Sequence, residues 1–172
     1  MELVDLYDRE RVPLGKTAER YGKKGPGEYR IVVHVCVFDR QGRMLVQQRA
    51  PEKTIWPGRW DVSAAGGVDA GETSRQAAER EFREELGIDL DLGDMRPSLT
   101  VDFPDGFDDF FLTVRDLDTS DLVLQTEEVS AVDWVTLEEA EAMTADGRFI
   151  PYPAGFLRFL FAMRETFGFP TK

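Results

Sequence analysis

The sequence has little cysteine and histidine: its 172 residues include one of each, Cys36 and His34. One cysteine excludes an internal disulfide, and one histidine excludes a metal site built from several histidines. No apolar run approaches the roughly 20 residues that span a bilayer. The first residues also lack the basic and apolar segments of a secretion signal. We therefore expect a soluble, cytoplasmic protein that has no membrane partner.

Basic residues are also scarce relative to acidic ones. Lysine and arginine number 21 against 33 aspartates and glutamates, which gives a formal net charge of −12. A surface with this charge repels the backbone of nucleic acids, so we expect no polymeric DNA or RNA as a partner. A small polyanion is still compatible with the composition, because carboxylates can gather around a divalent cation that attracts phosphate.

The length fits one domain, and a hydrophobic content of 42% is enough for a full core. Residues 1–30 are polar, with a basic stretch at 16–24 and the breaker Lys24-Gly25-Pro26-Gly27. This composition predicts an N-terminal arm at 1–30 and a single domain at 31–172. The arm is interpreted as solvated decoration, although a contact in a homodimer stays open.

The hydrophobic pattern predicts several short strands interleaved with helices. The expected strands are 31–38, 44–48, 60–65, 98–103, 109–114 and 129–135, and the expected helices are 73–86, 137–145 and 155–167. Thr73 and Gln76 have the form of a capping box, and Gly87 is placed to end the first helix. Because the order lacks regular βαβ spacing, we predict an α+β fold with a mixed sheet covered by helices on two sides.

The predicted helix at 73–86 has an acidic face. With about 100° between successive residues, Glu81, Glu84 and Glu85 share one side of the helix. Like charges at these spacings repel by a few tenths of a kcal/mol per pair, which a hard divalent cation with oxygen ligands would reverse. The helix alone leaves two interpretations open: a metal site, or a solvated face on which the arginines pair with the acids.

The segment around this helix matches a longer pattern. Gly66 is followed after five residues by Glu72, and after seven more by Arg80-Glu81-Phe82-Arg83-Glu84-Glu85-Leu86-Gly87-Ile88. This resembles the Nudix box, G-x5-E-x7-R-E-U-x-E-E-x-G-U with U apolar, and every specified position is filled. The resemblance implies a Nudix-type α/β/α sandwich and a hydrolase that cleaves a diphosphate linked to another moiety.

The resemblance also implies roles for the residues of the box. Glu72 and Arg80 would pair and hold the helix against the preceding loop. The ligands of Mg²⁺, or Mn²⁺, would be Glu81, Glu84, Glu85 and the carbonyl of Gly66. The cation would then neutralise the charge that develops on the phosphate oxygens while a water attacks phosphorus in line.

Other charged residues are candidates for the remaining roles. Family members deprotonate the water with a box glutamate or with one from a later loop, where Glu127 and Glu128 are the candidates here. Their alternative interpretation is a solvated turn. Arg49 and Lys53 are candidates to bind the phosphate remote from the metal, or are ordinary loop charges.

Two other functions are alternatives to hydrolysis. The N-terminal arm, the run 45–53 and Trp56-Pro57-Gly58 also resemble isopentenyl-diphosphate isomerase, but Ala65 stands where that enzyme needs a cysteine and Gly67 where a metal-binding histidine is expected. A catalytically silent nucleotide-binding module would have lost a box carboxylate, and none is lost. We therefore expect a hydrolase of nucleoside di- or triphosphates, with prenyl diphosphates as the second substrate class.

Overall fold

The computed structural model describes residues 2–166 as a mixed sheet, a separate two-stranded hairpin and three helices. The strands are β1 (Leu3–Tyr7), β2 (Pro13–Glu19), β3 (Arg30–Phe38), β4 (Met44–Arg49), β5 (Trp60–Asp61), β6 (Ala64–Gly67), β7 (Leu99–Phe103), β8 (Gly106–Val114) and β9 (Val129–Val135). The helices are α1 (Ser74–Leu86), α2 (Leu137–Ala145) and α3 (Phe156–Met163). None of the helices within 2–166 is long and apolar enough to cross a membrane.

Strand β3, a run rich in β-branched residues, lies at the centre of the sheet. It pairs in parallel with β8 along its whole length. On its other edge, β3 pairs with β4 only at Phe38 and Met44. Strand β6 pairs antiparallel with the part of that edge that β4 does not cover. Strands β5 and β9 both pair with β4, and β7 pairs with β8. The end of β6, at Gly66 and Gly67, is therefore held where β3 and β4 diverge.

Alternation along β3 divides the core between the two faces of the sheet. Val33 and Val35 belong to the cluster that buries Phe82 and Leu86 of α1, whereas Phe38 belongs to the cluster that buries residues of α2 and α3. The predicted sandwich, with a mixed sheet between helices on two sides, is confirmed.

Helix α1 has the ends that the sequence predicts. The Thr73 hydroxyl accepts from the Gln76 N–H at 3.3 Å, and the Gln76 side chain accepts from the Thr73 N–H at 2.9 Å. Gly87 has φ 77°, and its N–H donates to the Arg83 carbonyl at 2.9 Å. Glycine adopts this left-handed conformation without the clash that a side chain causes.

The prediction of one strand over 60–65 is wrong. The chain pairs with β4 at Trp60–Asp61 and with β3 from Ala64, and it crosses between them at Ser63. The Ser63 hydroxyl accepts from the Val37 N–H at 2.8 Å and donates to the Leu45 carbonyl at 2.6 Å. One short polar side chain thus satisfies backbone groups of both diverging strands.

Helix α3 ends at Met163, short of the predicted end at 167, and Phe167 itself lies outside the described residues.

Residues 3–19 of the predicted arm form a packed hairpin. Val4 and Leu6 of β1 are buried, and the Ala70 N–H donates to the Leu3 carbonyl at 2.8 Å. Asp5 accepts from the Gly71 N–H at 2.8 Å. The hairpin is therefore fastened to the loop that precedes α1, while the boundary at residue 30 stays a prediction.

The close packing at Gly87 gives a test of this arrangement. A Cβ at Gly87 would lie 2.6 Å from the Cβ of Val123, whereas a Cβ at Gly93, which also has a positive φ, meets nothing within 4 Å. We expect Gly93→Ala to lower the free energy of unfolding by about 1 kcal/mol, the conformational cost alone. Gly87→Ala should lower it by at least about 2 kcal/mol because Val123 must also move. Urea titrations of both variants measure the difference, and equal losses would contradict the packing.

Candidate active site

The guanidinium of Arg80 lies at the centre of the box residues. It makes five hydrogen bonds: Nε and Nη2 to the two oxygens of Glu72, both at 2.9 Å, Nη2 to the Gly67 carbonyl at 3.0 Å, and Nη1 to Glu81 at 3.0 Å and Glu84 at 3.1 Å. An arginine has five N–H donors, so every one of them is used. Arg80 therefore acts on its neighbours in the chain and has no donor left for another ligand.

The bidentate pair of Arg80 and Glu72 fastens α1 to the loop before it. Burial raises the pKa of Glu72, but the hydrogen bond and charge of Arg80, with a 3.2 Å hydrogen bond from the Asp69 N–H, bring it below its ordinary value. The hydrogen bond that Arg80 donates to Glu72 is in turn the largest influence that raises the pKa of Arg80. Both groups are thus held in their charged forms.

The carboxyl of Glu81 lies directly on the backbone of Gly66. A Cβ at position 66 would be 1.9 Å from the Glu81 Cδ, so any side chain there would displace the carboxyl. Burial raises the pKa of Glu81, while the charges of Arg80 and Arg20 oppose that shift. The glycine is required here for a close approach and brings the Glu81 oxygens onto the strand end.

Glu85 is buried next to Glu81. One of its oxygens accepts from the Gln47 side-chain amide at 3.0 Å and from the Ala65 N–H at 3.2 Å. Burial and then the charge of Glu81 raise the pKa of Glu85 to about 8. Because a metal ligand must be deprotonated, cation binding at Glu85 would release a proton near neutral pH.

The donor set fits a hard divalent cation. Within residues 2–166, no three acidic, histidine or cysteine side chains form a ready metal cluster; Arg80 instead holds Glu81 and Glu84. The four groups that the box pattern indicates nevertheless all offer oxygen, and the Glu84 side chain is 48% exposed. Mg²⁺ and Mn²⁺ favour such open carboxylate sites, in which water and substrate complete the coordination. The absence of a side chain at Gly66 also lets the Glu81 carboxyl lie against the backbone of this strand end.

The loop after β8 is attached to the end of α1. The Gln125 N–H donates to the Glu85 carbonyl at 3.0 Å. Glu128 is half-buried and forms an ion pair with Lys53, whereas Glu127 is exposed and receives only a 3.5 Å hydrogen bond from Thr126. The structure thus pairs one candidate base with one candidate phosphate ligand.

Arg49, the other candidate phosphate ligand, is held from two sides. Its Nε donates to the Ile55 carbonyl at 3.0 Å, and its Nη1 lies 3.7 Å from the carboxylate of Asp61. The side chain is 15% exposed, so its position is fixed by the loop that follows β4.

Among the described residues, neither the Cys36 thiol nor the His34 imidazole hydrogen-bonds a carboxylate of the box. Cys36 is fully buried, which raises the pKa of its thiol well above the ordinary value. His34 faces Asp108, with 3.1 Å between Nε2 and Oδ1, and its ring stacks on Phe110 at 4.4 Å. Ala65 is the cross-strand neighbour of His34, so no thiol occupies this strand end.

Two residues at the site were missed in the sequence. Gln47 hydrogen-bonds Glu85 and leaves its own buried Oε1 without a partner among the described residues. Arg20, directly after β2, lies against Gly67: a Cβ there would be 2.9 Å from the Arg20 Nε. No spacing pattern marks either residue, and the basic stretch at 16–24 was the sole signal for Arg20.

Comparison with known proteins shows which family and which fold this chain resembles. The model of the NUDIX domain matches residues 28–154. An uncharacterized Nudix hydrolase of Listeria innocua is 48% identical over 165 residues, which are 96% of each chain. An isopentenyl-diphosphate Delta-isomerase of Brevibacterium linens is 39% identical over 93 residues, covering 53% of this chain and 50% of that one. A crystal structure from Deinococcus radiodurans superposes with a TM-score of 0.73 at 24% identity, over 92% of this chain and 97% of that one.

The role of Arg80 as a clamp can be tested on helix α1 itself. Arg80→Lys keeps the charge but loses the planar fork, so we expect the free energy of unfolding to fall by about 2 kcal/mol. Arg83→Lys is the matched control, because Arg83 is 58% exposed and lies 3.8 Å from Asp89. Its effect should stay within about 0.5 kcal/mol. Equal stability of the two variants in urea titrations of metal-free protein would rule out the clamp.

Proposed function

The chain belongs to the Nudix hydrolase family, and on this basis we propose that it cleaves the diphosphate linkage of a nucleoside di- or triphosphate, or of a related X-linked diphosphate, with Mg²⁺ or Mn²⁺. The observation that carries the proposal is the saturated Arg80 clamp. It holds Glu81 and Glu84 beside Gly66 on a helix that is packed firmly on the sheet. An acidic face fixed in this way suits a cation that binds phosphate oxygens.

The proposed metal ligands are Glu81, Glu84, Glu85 and the carbonyl oxygen of Gly66. When bound, the divalent cation neutralises phosphate charge and activates the attacking water. Glu72 and Arg80 take no part in that chemistry themselves. They position the helix, because all donors of Arg80 are already used within the chain.

The proposed general base is Glu128. The attacking water must lose a proton as its oxygen bonds to phosphorus, and a fixed carboxylate is a suitable acceptor. Lys53 fixes Glu128 by an ion pair, and the backbone before it is bonded to the end of α1. Glu127 is the second candidate, and its exposed side chain is held less firmly.

The proposed contacts to the phosphate remote from the metal are Arg49 and Lys53. Both side chains are largely buried at the loop after β4, so binding of phosphate would cost little further side-chain entropy. A guanidinium can also bond two phosphate oxygens at once. The cytoplasmic location and the homodimer stay predictions.

The metal site is tested by Glu84→Gln, with Glu138→Gln as the control. Phosphate and pyrophosphate release is measured over nucleotides, nucleotide sugars, dinucleotides and prenyl diphosphates, each with and without Mg²⁺ or Mn²⁺. We expect metal-dependent release that falls by about 10² or more in Glu84→Gln, which removes a charged ligand. Glu138 is exposed on α2, so its variant should keep full activity. Full activity of Glu84→Gln would refute the assignment, and silence across the panel with folded protein would favour a binding module.

The base is tested by comparing Glu128→Gln with Glu127→Gln on the substrate found. Loss of a general base typically costs about 10²–10⁴ in rate, so kcat should fall by that factor in Glu128→Gln at neutral pH. Glu127→Gln should stay within about threefold of the parent, since an exposed charge is screened by solvent. The reverse order would assign the base to Glu127, and two active variants would assign it to the box.

A further inference from the structure

A cavity opens beside the box, on the side of the N-terminal hairpin. It has a volume of about 650 Å³ and is lined by residues 20–30 with Pro104 and Asp105 of the turn between β7 and β8. Pockets that bind small ligands commonly have volumes of about 300–1,000 Å³. Arg20 also lies against Gly67 of the candidate active site, and the other lining residues have no role in the proposed hydrolysis.

The cavity concentrates positive charge in a chain whose net charge is −12. Arg20, Lys24 and Arg30 all line it. Burial and then the charge of Arg20 lower the pKa of Arg30, and burial and then the charge of Arg30 lower that of Lys24, against the opposing charge of Asp105. On the lining of this cavity, the charge of Arg30 therefore interacts unfavourably with those of Arg20 and Lys24, and a bound anion would relieve that repulsion.

The acids near these cations compensate that repulsion only in part. Arg20 Nη1 donates to Glu2 at 2.7 Å. Glu28 is occupied by Lys16 at 3.0 Å and by the Gly25 N–H at 2.7 Å. Among the residues that the structure describes, Arg30 makes no ion pair and no side-chain hydrogen bond, and its guanidinium lies over the Phe103 ring at 5.4 Å. Its N–H donors are thus available to a ligand in the cavity.

Lys24 fixes the shape of the turn that forms the cavity. Its ammonium donates to the carbonyls of Arg20 at 2.6 Å, Gly22 at 2.9 Å and Glu19 at 3.2 Å, which uses its three protons. Lys24 therefore contributes a fixed charge, and Arg30 contributes the donors.

Arg20 joins the cavity to the box. It lines the cavity while its guanidinium lies on Gly67 and also donates to Glu2. Burial lowers the pKa of Arg20, but the hydrogen bond to Glu2 and, to a lesser degree, the charge of Glu81 raise it above its ordinary value. An anion in the cavity would therefore be separated from the acidic face of α1 by one guanidinium.

We propose that this cavity binds the terminal phosphate of a substrate with three or more phosphates in its chain, while the box residues act on an inner linkage. The inference rests on the proposed function, because it assigns the substrate class of the same site. A polyphosphate suits the geometry, since its charges are closely spaced and Arg20 lies between the two regions. A diphosphate would occupy the box region and leave the N–H donors of Arg30 unused.

The test is isothermal titration of metal-free, full-length protein with inorganic tripolyphosphate. We expect binding that weakens with salt and is about tenfold or more weaker in Arg30→Gln, the usual loss for one charge-assisted contact. Arg30→Lys, which keeps the charge, should recover part of the affinity. The control Arg40→Gln removes the same charge from an exposed side chain paired with Asp116, and it should bind like the parent.

Two results would overturn the proposal. One is parental affinity in folded Arg30→Gln, and the other is an equal loss in Arg40→Gln, which would show a response to net charge alone. If Arg30→Gln does not fold, Arg30→Lys replaces it: it should bind tripolyphosphate more weakly than the parent because it loses the planar fork, and parental affinity would overturn the proposal.

Kinetics separate this inference from the proposed function. Arg30→Gln should raise KM for a nucleoside triphosphate about tenfold and leave KM for the diphosphate and both kcat values unchanged. Tripolyphosphate binding that depends on Arg30, in a protein that hydrolyses nothing in the panel, would keep the anion site and reject the proposed function. Hydrolysis that depends on Glu84, with triphosphate KM indifferent to Arg30, would do the opposite.

Discussion

The hydrogen bonds of the Arg80 guanidinium stabilise the acidic face of α1, on which the candidate active site depends. Glu81, Glu84 and Glu85 repel one another, and two of them are buried, which costs free energy unless the charge is paired. Arg80 neutralises part of this charge and ties it to Glu72, so the helix keeps its position against the loop. The carboxylates are therefore preorganised by a contact that is itself unable to bind substrate.

The second constraint is the divergence of β3 and β4, which determines where this helix meets the sheet. The two strands pair at one position and then separate, so the chain between β5 and β6 can cross and bring Gly66 to the gap. Ser63 satisfies the backbone on both sides of the crossing. A residue larger than glycine at position 66 would meet the Glu81 carboxyl, so sheet geometry and site geometry depend on the same close approach.

Features that depend on residues close in sequence could be predicted, whereas features that depend on contacts between distant residues could not. The bounds of β9 and α2, and the caps of α1, depend on neighbouring residues and agree with the prediction. The crossing at Ser63 depends on two strands that are distant in sequence, so the apolar run at 60–65 gave no sign of it. The hairpin was interpreted as decoration for the same reason, because the burial of Val4 and Leu6 is created by tertiary contacts. Likewise, no spacing pattern in the sequence indicates the pairing of Lys53 with Glu128 or the position of Arg20.

The hairpin changes how the net charge should be interpreted. A formal charge of −12 describes the average field, which repels polyanions at a distance. Arg20 and Arg30 are brought together by the end of β2 and the start of β3, and Lys24 is fixed between them by backbone carbonyls. Over distances shorter than a Debye length, about 8–10 Å at ordinary salt, this local field outweighs the average. A negatively charged protein can thus favour a compact anion such as a phosphate chain over an extended nucleic acid that must also meet the acidic surface.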